Sequence, residues 1–120
     1  MSTIKITTKQ PIQEFDINGN VFKMKYDDDS IEIYQKKALE FNDQKNKGKK
    51  IKDKEKYKNH MNEIIKDMIE TFFGEGSYEV IYESTGRSTI EMVTVVEGIY
   101  DFIMNKVQPP EEKRAYYTEG

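Results

Sequence analysis

The segment between Ser88 and Pro109 constrains the fold more than any other. Ile90, Val93, Val96, Tyr100, Ile103 and Val107 recur at helical intervals, and Met92, Val95, Ile99 and Phe102 form a second stripe beside them. A helix with two adjoining apolar stripes has a wider apolar face than a one-sided surface helix needs. It is predicted to lie either in the middle of a small bundle or against a partner, a second copy or a client. Met92, Val95, Ile99 and Phe102 are the candidate partner-binding residues. Ser88-Thr89-Ile90-Glu91 has the form of a capping box and Pro109-Pro110 stops a helix, so this element is expected over 88–107.

The rest of the chain must supply what that helix packs on. Around Asn18-Gly19 apolar and polar residues alternate from Gln13 to Tyr26. Asn and Gly accept the positive φ angles of a two-residue type I′ turn, which predicts a hairpin with Phe15 opposite Phe22 and one face made of Phe15, Ile17, Phe22, Met24 and Tyr26. Ile4 and Ile6 also alternate and offer a third strand, although Pro11 interrupts the approach. An isolated hairpin is marginal in water, so its apolar face should rest on helices. A helix over 29–46 is expected from Ile31, Tyr34, Ala38, Leu39 and Phe41, with Asp29 and Glu32 as a capping box and Gly48 as the stop. A second, over 53–73, carries Tyr57, Met61, Ile64, Ile65, Met68 and Phe72 on one stripe. Phe73-Gly74-Glu75-Gly76 breaks it, and a short helix over 77–84 follows, with Ser77 as N-cap and Tyr78, Val80, Ile81 and Tyr82 within it. The expected fold is mainly α: a small hairpin within 1–26, then about four helices, one short, in a compact bundle. It forms a single domain over 1–107, and the tail 108–120 is expected to be flexible.

Composition narrows the function. Hydrophobic residues are 36% of the chain and charged ones 34%, so the core is small and the surface heavily solvated. There is no cysteine, which removes disulfide scaffolds, thiolate zinc sites and cysteine nucleophiles and makes the cytoplasm the expected location. The longest apolar run is far short of a membrane span, and Ser2 and Thr3 do not begin a signal sequence. His60 is the only histidine and no triad or metal cluster assembles around it, while Gly74-Glu75-Gly76 lacks the pattern of a phosphate loop. The Asp27-Asp28-Asp29 run is no calcium loop, because its fifth and sixth positions are Ile31 and Glu32. Glu63, Asp67 and Glu70 stand at helical spacing on a polar face. The sequence therefore implies no cofactor, no metal and no enzyme.

The net charge of −3 conceals a polarised chain. Residues 1–60 hold 14 Lys against 10 acids, +4, and residues 61–120 hold 5 basic against 12 acidic groups, −7. Lys45, Lys47, Lys49, Lys50, Lys52, Lys54, Lys56 and Lys58 carry most of the positive charge, so a nucleic-acid-binding or regulatory module using the Lys45–Lys58 run is one reading. The solvated end of a helix pair is the other.

The order of these features is similar to that of another kind of protein. An Asn-Gly hairpin, two Lys- and Glu-rich helices, the Phe73-Gly74-Glu75-Gly76 corner, the aromatic helix from Tyr78 to Tyr82, Gly86 and an apolar last helix together resemble a tail assembly chaperone of long-tailed phages or prophages of low-GC Gram-positive bacteria, over about residues 13–107. The resemblance implies a helical protein without chemistry that binds the tail tape measure protein, the tail tube protein, or both, and keeps them soluble while the tail is built. A homo-oligomer is compatible with it. Met61, Met68, Met92 and Met104 lie on the helices that would supply an adaptable apolar strip for client helices, although core filling is the favoured explanation of any single Met.

Overall fold

A computed structural model describes residues 2–107, so the expected flexible tail 108–120 lies outside the described residues. Strands β1 (Ile12–Ile17) and β2 (Asn20–Lys25) are followed by α1 (Asp28–Gly48), α2 (Lys54–Phe73), α3 (Ser77–Ser84) and α4 (Thr89–Val107). This is the mainly α architecture expected, with the hairpin in front and one short helix among four.

The hairpin forms in the predicted register. Asn18 and Gly19 both have positive φ, at 52° and 90°, and Phe15 pairs with Phe22. Its inner face lies on the bundle through aromatic edges and faces. Phe15 meets Phe73 and Phe102 at 5.7 and 5.4 Å, and Phe22 stacks on Phe73 at 5.1 Å. Met24 is completely buried. Residues 2–10 add no third strand. The ladder runs on only as far as the Tyr26 N–H to Pro11 C=O bond of 2.8 Å, and beyond it β2 has already given way to α1.

Helix ends differ from expectation in detail. Asp27, not Asp29, occupies the N-cap of α1, with extended backbone, and its carboxylate accepts from Ser30 Oγ at 2.6 Å. That bond is the main reason the Asp27 pKa is lowered. Asp28 and Asp29 fall in the first turn, where the helix dipole favours negative charge. Asp53 caps α2 by accepting from Lys56 N–H at 3.0 Å. The N-cap of α3 is Gly76, at φ 86°, whose N–H donates to Glu70 at 2.9 Å. Ser77 is instead buried in the first turn and donates to Gly74 C=O at 2.7 Å. Ser88 caps α4 through Glu91 N–H at 3.2 Å. The Ser88 N–H donates to Thr85 Oγ1, so only one half of the capping box is made.

The central element is α2, which packs on α1, α3, α4 and β2 and buries Met61, Ile65, Met68, Ile69 and Phe72. The last helix covers it from one side. Leu39 does not join the α1 stripe: Tyr34 and Ala38 point inward, Leu39 is turned about 100° from Ala38 by the helix repeat, and it is 72% exposed.

Gly48 allows the α1–α2 turn to close. A Cβ there would lie 2.8 Å from His60 Cδ2, and His60 Nε2–H donates to Gln44 C=O at 2.7 Å across the same junction. Gly48→Val is expected to lower stability by about 2 kcal/mol through overpacking. The same change in a His60→Ala background should cost clearly less, a difference that a denaturant double-mutant cycle measures.

Candidate partner-binding grooves beside the last helix

The two stripes of α4 divide between core and groove. Met92, Val96, Ile99 and Ile103 are 0–3% exposed and recur every three or four residues, so they form the seam against α2. Two of the predicted partner-binding residues, Met92 and Ile99, are therefore core. Val95 and Phe102 are half-buried on the hairpin side, where Phe102 touches Phe15 and Tyr26. Val93, Tyr100 and Met104 are half-buried on the opposite flank. Ile90, placed on the first stripe by its spacing, is 79% exposed. Its spacing from Val93 fits the stripe, yet its side chain faces solvent.

A groove runs along each flank. Between β1 and α4 an opening of about 580 Å³ has Phe15, Ile17, Val95 and Ile99 at its base and Glu91 and Thr94 on its rim. Asn18 Nδ2 donates to Ser84 Oγ at 3.2 Å and closes one end by fixing the turn to α3. Between α1 and α4 lie two smaller openings that share Asn42 and Tyr100. One, about 130 Å³, is lined by Leu39, Ile103 and Met104. The other, about 320 Å³, is lined by Phe41 and Val96, with Lys45 on one rim and Glu97 and Asp101 on the other.

The walls of these grooves are pinned by polar contacts. Lys37 Nζ reaches from α1 to Asp67 of α2 at 2.7 Å and to Glu40 at 3.1 Å, and the Asp67 bond is the main cause of its raised pKa. Thr89 Oγ1 donates to Asn62 at 2.9 Å and fixes the start of α4 on α2. Burial raises the Tyr34 and Tyr78 phenols. Arg87 lies over the Tyr82 ring at 5.2 Å and pairs with Glu83. Among the described residues no group of three or more His, Asp or Glu is placed to hold a metal ion. No described helix is long and apolar enough to cross a membrane.

The lysine run gathers at one end of the molecule. Lys45 and Lys47 end α1, Lys54, Lys56 and Lys58 begin α2, and all eight lysines are exposed. Among the described residues, of these eight only Lys47 and Lys58 have carboxylates in ion-pair range, Asp43 at 3.3 Å and Glu55 at 3.7 Å. Tyr57, expected on the α2 stripe, is 42% exposed in the middle of this tip.

No family model, curated protein or solved structure matches the chain. The geometry of the grooves is thus what bears on function. Leu39, Tyr100 and the lysine-flanked Tyr57 are residues that spacing assigned to a stripe and that the structure leaves at least partly exposed. A count of the apolar positions on α1, which exceed what one seam can bury, is the signal that marks Leu39 as available.

Proposed function

We propose that this protein is a tail assembly chaperone of a long-tailed phage or prophage, and that it holds an amphipathic helix of the tail tape measure protein in the groove between α1 and α4. The observation that carries the reading is Leu39, a large apolar side chain 72% exposed beside half-buried Tyr100 and Met104. Open apolar grooves with mixed-charge rims accept the apolar face of a client helix while the outer face stays in water. The flexible thioether of Met104 adapts such a groove to varied side chains. The succession of hairpin, two long helices, corner, short helix and apolar helix supports the same reading.

The test is co-expression with the tape measure protein of the same phage or prophage. The intact chain is expected to keep that protein soluble and to co-purify with it. Because Leu39 contributes little to the core, Leu39→Asp should remain folded by circular dichroism and lose at least ten-fold in co-purified client, about 1.4 kcal/mol of binding. Undiminished binding by the folded variant, or no effect of the intact chain on client solubility, would overturn the proposal.

The clustering of eight lysines around Tyr57 favours one second reading, a nucleic-acid-binding module, since lysines and an exposed aromatic together suit single strands. That reading predicts binding that falls steeply with salt. It fails if no DNA or RNA is shifted at low ionic strength.

A further inference from the structure

The N-terminal residues combine a strand-forming sequence with no strand. Thr3-Ile4-Lys5-Ile6-Thr7-Thr8 is rich in β-branched residues and alternates apolar with polar. Yet Ile4 and Ile6 are 86% and 84% exposed. The hairpin beside them has a vacant edge. Its register, with Ile17 and Asn20 flanking the turn and Tyr26 bonded to Pro11, directs the N–H and C=O groups of Glu14 and Asp16 away from β2. Among the described residues no backbone group pairs with them on that side; the Glu14 C=O accepts from Gln13 Nε2 at 3.0 Å, an exposed side-chain contact that an added strand would displace.

The same edge borders the β1/α4 groove, whose base is apolar and whose floor is left low by Gly98. A Cβ on Gly98 would meet nothing within 4 Å. A glycine inside a helix costs about 1 kcal/mol relative to alanine, and among the described residues nothing uses the space it leaves. We infer that residues 3–8 of one copy form a third strand on the outer edge of β1 in a second copy, so that the protein self-associates by exchange of N-terminal arms.

Side-chain alternation fits both faces of that strand. Successive residues point to opposite faces, so Ile4 and Ile6 enter the groove over Phe15, Ile17 and Val95 while Lys5 falls on the solvent face beside Glu14 and Asp16. Apolar residues meet an apolar base, and a lysine meets two carboxylates across the strands. The arm's own sheet does not receive it. Pro11 C=O is bonded to Tyr26 and Ile12 N–H to Gln10 C=O at 2.8 Å, so the chain leaves the far end of β1 without doubling back along it. Strand addition at an open edge is a common mode of association, and arm exchange needs no rearrangement of the folded core. The inference is independent of the proposed client, which occupies the other flank of α4.

The chain has no cysteine, which makes the test direct. Lys5→Cys protein is mixed with a size-tagged Glu14→Cys or Asp16→Cys protein under mild oxidation, and sedimentation of the intact chain is followed against concentration. The expected results are a mixed disulfide dimer for at least one pair and a mass that rises with concentration. Deletion of residues 2–8 and Gly98→Leu, which fills the groove from within, should each give a monomer with unchanged helical circular dichroism. A concentration-independent monomer would overturn the inference. So would a Lys5→Cys/Glu14→Cys or Lys5→Cys/Asp16→Cys double variant that closes only within one chain, or association that survives both the deletion and Gly98→Leu.

Discussion

Ile99→Asp is expected to leave no folded protein at room temperature. Ile99 is 1% exposed in the seam of α4 against α2, at the base of the β1/α4 groove. Three costs add. The apolar side chain is lost from a packed site, about 2–5 kcal/mol for truncation alone. A carboxylate takes its place with no buried cation among the described residues to pair with, and an unpaired buried charge costs several kcal/mol more. Folded domains of ordinary size are stable by only about 5–15 kcal/mol, and this one has a small core. Loss of the helical circular dichroism signal, or expression only in inclusion bodies, is the predicted readout. A soluble, cooperatively folded variant would mean that α4 does not pack in this way. Comparison with Leu39→Asp, the same chemical change at an exposed site, separates core from surface.

Phe73→Ala is expected to act on one element rather than on the whole. Phe73 lies at the end of α2, where its ring contacts Phe15, Phe22 and Phe72 at 5.7, 5.1 and 6.3 Å. It is the main anchor of the hairpin on the helices. Removing a ring of this size costs about 3 kcal/mol, and each lost aromatic pair adds about 0.5–1.5 kcal/mol beyond the area involved. A two-stranded hairpin has little stability of its own. Amide hydrogen exchange should therefore show Phe15, Phe22 and Met24 losing nearly all protection while Ile65, Met68 and Ile69 in α2 keep most of theirs. Equal loss in both would place the hairpin within the cooperative core.

The local elements were legible in the sequence because each is set by neighbouring residues. Asn18-Gly19 determines the turn and with it the pairing of Phe15 with Phe22. Asp53 and Ser88 start α2 and α4 because a short polar side chain can reach the free N–H groups of a first turn. Tertiary placement was less legible. Periodicity states that α4 has a wide apolar face, but not that the face is shared among α2 beneath, the hairpin on one flank and α1 on the other. For the same reason Met92 and Ile99 could not be told from Val95 and Phe102, since all four lie on one stripe and only the position of the neighbours decides which are sealed. Leu39 and Ile90 were misplaced because helical spacing has no knowledge of where a packing partner ends. Ile4 and Ile6 have the alternation of a strand, which is a property of the chain, while a strand also requires an edge to bind.

The core is unusually rich in thioethers. Met24, Met61, Met68 and Met92 are 0–4% exposed, one from the hairpin and three from the helices that meet beneath it, and half-buried Met104 lies outside them. Oxidation converts each into a polar sulfoxide that such an interior cannot accommodate. An oxidant reaches the inner four only in the moments when the fold opens, whereas Met104 is accessible throughout. Under peroxide stress the lifetime of this protein is thus governed by how often it breathes, and every opening that ends in oxidation is one from which the chain does not return unaided.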